Sequence, residues 1–238
     1  MKKTWRDSKT LPVNENRLHY FNAYATIPLE FAPKGSMFVI FRQTMGQDVN
    51  GPATRNFPVY ENMKELSGAW RVSFDPKWGG AANAEFPELV SWPERAEEGI
   101  KYYSGTPTYR KTFDLPEGLR GTGTRIALDP GEAKNVAQVR LNGKELGVLS
   151  SKPFRVEITE AVKASGNVLE IDVVNLWPNR IIGDAELPTG RRFTRTNISK
   201  MDFKRPDPQS KPLEWEDEGL LKSGLLGPVR LQAVEGLM

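Results

Sequence analysis

The sequence predicts an all-β protein, a sandwich of antiparallel strands, and three observations predict it. Apolar residues recur with period two in run after run, as half-buried strands require. The connectors between those runs are rich in Gly, Pro, Asn and Asp. Only one stretch, "ITEAVKASG", has the start and stop signals of a helix.

In chain order, the first strand is the compact apolar run "SMFVIFRQ", Ser36 to Gln43. The Gly-, Pro-, Asn- and Thr-rich connector that follows places a boundary near residues 44–62. Residues 1–62 are therefore expected to form an N-terminal segment with a short β element, and residues 63–238 the main domain. Trp70, Val72 and Phe74 then alternate with Arg71, Ser73 and Asp75. Tyr109 and Phe113 share an aromatic face with one polar intruder, Lys111. Ala137, Val139 and Leu141 lead into "LNGKEL", where Asn142-Gly143 supplies the positive φ angles of a tight hairpin turn.

Phe154, Val156 and Ile158 form the next run. The helical candidate follows, with Thr159 to cap it, Glu160 in its first turn and Gly166 to end it. Leu169, Ile171 and Val173 alternate with Glu170 and Asp172, and that strand breaks at Trp177-Pro178. The prolines of "DFKRPDPQSKPLEWEDEG" exclude a central strand and predict a surface excursion. Val229, Leu231 and Ala233 form the last strand.

Composition narrows the function. Lys and Arg number 33 against 30 Asp and Glu, with the signs interspersed and a net charge of +3. The densest basic group, Arg191-Arg192 with Arg195, reads as a solvated loop, so nucleic acid is not an expected partner. The absence of cysteine removes thiolate zinc sites, disulfides and a cysteine nucleophile. His19 is the sole histidine and lacks the sequence context of a catalytic triad. No run approaches the ~20 apolar residues of a membrane span. Trp5-Arg6-Asp7 stand where an export signal would be apolar, so none is expected in the chain as written.

Five stretches, "YSGTPTYRKTFDLP", "VAQVRLNGKELGVL", "KPFRVEITEAV", "GNVLEIDVVNLWPNRIIGD" and "SGLLGPVRL", follow one another in a familiar order. Together they resemble the sugar-binding jelly roll of family 2-type glycoside hydrolases. The nearest likeness is to the C-terminal galactose-binding-like sandwich of the family 106 α-L-rhamnosidases. The resemblance runs from about Leu66 to Leu237, and "PLEFAPKGSMFVIFRQ" resembles the end of the domain that precedes it there. The chain departs from the pattern at Ser150 and Ser151, where an aromatic residue is frequent, and at Pro130.

The resemblance implies a jelly-roll sandwich, a carbohydrate ligand and a periplasmic or secreted parent protein. It also implies a catalytic barrel upstream, too large for this chain to contain, whose domain would be a partner. No cofactor is required by it, although such sandwiches often hold a structural Ca²⁺.

Two readings stand for "VVNLWPNRIIGD". Trp177, Asn179, Arg180 and Asp184 supply the ring, amide, guanidinium and carboxylate of a sugar site. The same groups would equally tie a loop, with Arg180 and Asp184 as a buried bidentate pair. Trp78 and Trp92, in turn-rich segments near Tyr102-Tyr103, are further sugar-stacking candidates. Asp184 and Glu186 would share a face if extended, about 7 Å apart, which admits a weak catalytic pair. Glu214, Glu216, Asp217 and Glu218 are the candidate Ca²⁺ ligands. The expected function is a non-catalytic, carbohydrate-binding accessory domain of a rhamnosidase-type glycoside hydrolase. The alternatives are a compact glycosidase acting on plant or algal polysaccharide, and a structural domain bracing a barrel.

Overall fold

A computed structural model describes residues 58–119, 124–196 and 219–235, together with Phe31, Phe38 and Ile40. The strand expected at Ser36–Gln43 and the proline-rich excursion before residue 219 lie largely outside those residues. The fold below is that of the compact unit Tyr60–Val234.

Its strands are β1 (Val59–Glu65), β2 (Trp70–Ser73), β3 (Ala84–Phe86), β4 (Thr108–Phe113), β5 (Arg125–Asp129), β6 (Glu132–Lys134) and β7 (Val136–Leu141). They continue with β8 (Lys144–Leu149), β9 (Val156–Glu157), β10 (Asn167–Val174), β11 (Gly224–Gly227) and β12 (Arg230–Glu235). Two short helices, α1 (Glu98–Lys101) and α2 (Pro178–Ala185), interrupt them. One sheet runs β3-β2-β4-β10-β7-β8 and a second runs β1-β12-β5-β9, with β11 and β6 paired separately. The protein is an all-β sandwich.

The period-two pattern builds this directly. Trp70 and Val72 of β2, Tyr109 and Phe113 of β4, Leu169, Ile171 and Val173 of β10, and Val139 of β7 are buried. They meet Ile126 and Leu128 of β5 and Leu231 of β12 in one apolar cluster. Lys111, the intruder on the β4 aromatic face, reaches the sheet edge. There its ammonium donates to the carbonyls of Gly68 and Ala69 at 3.0 Å each and lies 5.1 Å from the Trp70 ring. Asn142-Gly143 makes the β7–β8 turn with φ of 54° and 82°.

Two expectations are corrected. The segment Thr159–Gly166 makes a turn, in which the amides of Ala161 and Val162 both donate to Ile158 O, and no helix follows. Side chains take the backbone groups a helix would use. Asn167 accepts from Lys163 N at 2.8 Å and donates to Lys163 O at 2.7 Å, while Asn142 donates to Ala161 O at 2.8 Å. Conversely, Pro178–Ala185 is helical where a loop was expected. β10 ends at Val174, and Pro178 stands at the first helical position, where its missing N–H costs nothing.

Candidate functional site

One end of the sandwich gathers most of the residues singled out in the sequence, and α2 organises it. The helix starts on Trp177, with Asn179, Arg180, Ile181, Gly183 and Asp184 buried. Asn179 donates to Leu221 O at 2.7 Å and to Ser223 Oγ at 3.1 Å, and accepts from Leu221 N at 2.7 Å. Its amide is thereby spent on holding the segment that enters β11. Asn175, just beyond β10, ties the same Ser223 hydroxyl to Tyr103 O and accepts from Gly105 N.

Arg180 and Asp184 stand one helical turn apart with only 4% of each side chain exposed, and Nε and Oδ1 are 3.1 Å apart. These two atoms are not aligned as a hydrogen bond, so the contact is ionic. The other carboxylate oxygen accepts from the amide and hydroxyl of Thr194 at 2.7 and 2.6 Å. Phe193 lays its ring over the guanidinium at 4.6 Å. Burial pushes Arg180 below the usual guanidinium range, with Asp184 opposing the shift. A side chain at Gly183 would meet Tyr102 and the Arg180 guanidinium, so this close approach requires glycine. Asn179, Arg180 and Asp184 thus face inward into contacts that tie this end of the sandwich, with Arg180 and Asp184 paired but without the two parallel hydrogen bonds of a bidentate pair. Phe193 and Thr194, which complete the tie, had no signal in the sequence beyond their place in a polar loop.

Trp177 remains outside this network, half exposed, and meets Trp78 edge to face with ring centroids 5.7 Å apart. Trp78 is held by a short 3₁₀ turn, Pro76–Trp78. Asp75 caps that turn by accepting from Lys77 N, and its own amide donates to Tyr103 Oη. Leu176 and Val174 are exposed beside Trp177 in sequence.

Trp92 is placed differently from its expectation. It is fully buried, its indole N–H donates to Tyr109 Oη at 2.6 Å, and Phe74 and Tyr103 pack edge-on against it. A ring enclosed in this way has no face left for a sugar. Asp184 and Glu186 are also repositioned. The carboxylate of Asp184 is buried on α2, whereas Glu186 is exposed at the helix C-terminus. Residues two apart on a helix do not face one another, so the shared face of an extended chain is lost. Glu214, Glu216, Asp217 and Glu218 lie outside the described residues, among which no cluster of three metal-ligating side chains occurs. No described helix is long and apolar enough to cross a membrane.

No family model matches the sequence. The chain is 40% identical over 180 residues to a Formosa agariphila protein provisionally named a β-glucuronidase, covering 71% of this chain and 15% of that protein. Its fold matches the solved rhamnosidase of Novosphingobium sp. PP1Y with a TM-score of 0.70 and 34% identity, over 87% of this chain and 18% of that one. Thus the chain spans less than a fifth of the length of either relative, and it is related to one part of proteins named as glycoside hydrolases.

Proposed function

We propose that this chain is a non-catalytic accessory sandwich of a rhamnosidase-type glycoside hydrolase, of the family 106 kind, and that it presents a carbohydrate-stacking surface. The observation that carries this is the Trp78–Trp177 pair. Two large rings stand partly in water, braced edge to face, one on a 3₁₀ turn capped by Asp75 and the other at the start of α2, which a buried ion pair anchors. Exposed aromatic faces on a rigid frame suit the C–H faces of sugar rings.

One member of the candidate catalytic pair Asp184 and Glu186 is taken up by the fold. Asp184 is committed to Arg180 and Thr194. Glu97, Glu132 and Glu157 are held below the usual carboxylate range by Arg95, Lys134 and Arg125 respectively, opposite to what a proton donor needs.

A second reading is favoured by one observation. Val174 and Leu176, close to Trp177 in sequence, are exposed apolar residues too, as expected of a domain braced against the rest of a protein several times its length. Affinity gels of rhamnose-containing polysaccharide decide between the two. Retention of the chain that is lost in Trp177→Ala and in Trp78→Ala, with unchanged melting temperatures, supports the stacking surface. Retention of neither the parent chain nor the variants leaves the brace. Hydrolysis by the purified chain that Glu186→Gln abolishes would reject both.

A further inference from the structure

The solvent face of the six-stranded sheet carries a charged row across all its strands. Successive cross-strand partners are Glu85, Arg71, Arg110, Glu170, Arg140 and Glu145. The signs alternate except at one step, where Arg71 of β2 lies directly opposite Arg110 of β4. Like charges so placed destabilise a strand pair. Arg140 shows how the face treats a guanidinium that serves only the fold. It grips Asp172 with two bonds, of 2.5 and 2.9 Å, and has Glu170 at 3.5 Å. Neither Arg71 nor Arg110 makes an ion pair or side-chain hydrogen bond among the described residues, and both are exposed.

The same two residues line a groove of about 500 Å³, within the ~300–1,000 Å³ of ligand sites. Ala69 and Ala84 line it as well, and Asn83, Glu85, Lys111 and Thr112 complete the polar lining. Paired guanidinium forks match an oxyanion, which each can bind through two parallel N–H groups. Glu85 points to the rest of the ligand. A carboxylate beside an anion site needs hydrogen-bond donors opposite it, and a hydroxyl-rich ring supplies them where a polyphosphate would not.

We infer that this groove binds an acidic saccharide, a sugar bearing a carboxylate or a sulfate ester. Arg71 and Arg110 hold its oxyanion, and Glu85, Asn83 and Thr112 take its hydroxyls. The inference rests on the carbohydrate reading above but uses a different face from the tryptophan pair.

The test is calorimetric titration of the whole chain with oligogalacturonate, with a sulfated oligosaccharide and with a neutral one, at ~0.05 M and ~0.5 M salt. Binding of one or both acidic ligands that is weaker at high salt is expected, and which of them binds identifies the oxyanion. Replacing both arginines, Arg71→Gln with Arg110→Gln, should weaken it roughly tenfold or more. The melting temperature should change little, because relief of the like-charge contact offsets loss of the cross-strand partners Glu85 and Glu170. Equal affinity for acidic and neutral ligands, binding of none, or full affinity in the double variant would overturn the groove. Retention on neutral polysaccharide, measured on the same preparation, decides the tryptophan surface separately.

Discussion

Arg180 and Asp184 form an ion pair inside the protein, one turn apart on the same short helix, with Phe193 closing over the guanidinium. A charge in that position depends on its partner, because removing one member leaves the other buried and uncompensated. Asp184→Asn should therefore cost about 3–5 kcal/mol, read as a lower melting temperature. Replacing both members by apolar residues, Arg180→Met with Asp184→Leu, should cost less than either single change. A double variant as unstable as the sum of the two singles would show that the pair is not coupled.

Gly224 and Gly143 both have positive φ, of 103° and 82°, but they differ in the space around them. A Cβ at Gly143 would meet nothing within 4 Å, whereas one at Gly224 would lie against the Trp92 indole nitrogen and 2.7 Å from Tyr109 Oη. Gly143→Ala should cost only the backbone term, about 1–2 kcal/mol. Gly224→Ala adds overpacking at the buried Trp92–Tyr109 bond and should cost about 3 kcal/mol or more. Urea unfolding of the two variants side by side measures the difference, and equal costs would refute it.

The contrast between those glycines also marks what the sequence could and could not say. Gly143 was legible because a local pattern, Asn-Gly between alternating runs, determines its conformation. Gly224 was not, because its constraint is a contact with Trp92, more than a hundred positions away. The strands followed the same rule, since alternation is local and burial on one face follows from it. The segment Thr159–Gly166 carries helix signals yet forms a turn, because Asn142, from the β7–β8 turn, and Asn167, at the start of β10, capture backbone groups a helix would need. At the candidate site, the residue types around Trp177 were visible, but their roles depend on tertiary contacts. Asn179 turned inward to Leu221, and Trp92 was drawn into the core by Tyr109. Arg71 and Arg110 each looked like an ordinary outward-facing strand residue, and only the register sets them side by side.

Asn167 is the most heavily committed amide of the turn it organises. It is fully buried, donates to Phe113 O and Lys163 O, and accepts from Lys163 N and Asn142 Nδ2. Asn167→Ala takes that partner from these groups, of which Phe113 O is buried while those of Lys163 belong to an exposed residue. A loss of about 3 kcal/mol is expected, since each buried unsatisfied group costs ~1–3 kcal/mol and water recovers some of them. The denaturation midpoint should fall with the slope unchanged. A midpoint within error of the parent would show that the turn holds without the amide.

Tyr109 gives the fold a dependence on alkaline pH whose sign can be worked out. Its hydroxyl is enclosed between Trp92 and the amide of Leu225, both of which donate to it. Burial pushes its pKa up to about 12, from an ordinary value of 10.0, although both hydrogen bonds favour the phenolate. In the unfolded chain the phenol loses its proton near pH 10, while the folded protein retains it to about 12. Between those values the folded state binds more protons, so stability falls as pH rises through the window and is complete below it. Two units correspond to roughly 3 kcal/mol at most. Tyr109→Phe removes the titrating group and leaves two buried donors unpartnered, so it should be less stable than the parent at pH 8. The gap between the two proteins should then narrow steadily from pH 10 to 12. Unfolding curves for both proteins across that range check the prediction, and stabilities that fall in parallel would show that folding leaves the Tyr109 pKa unshifted.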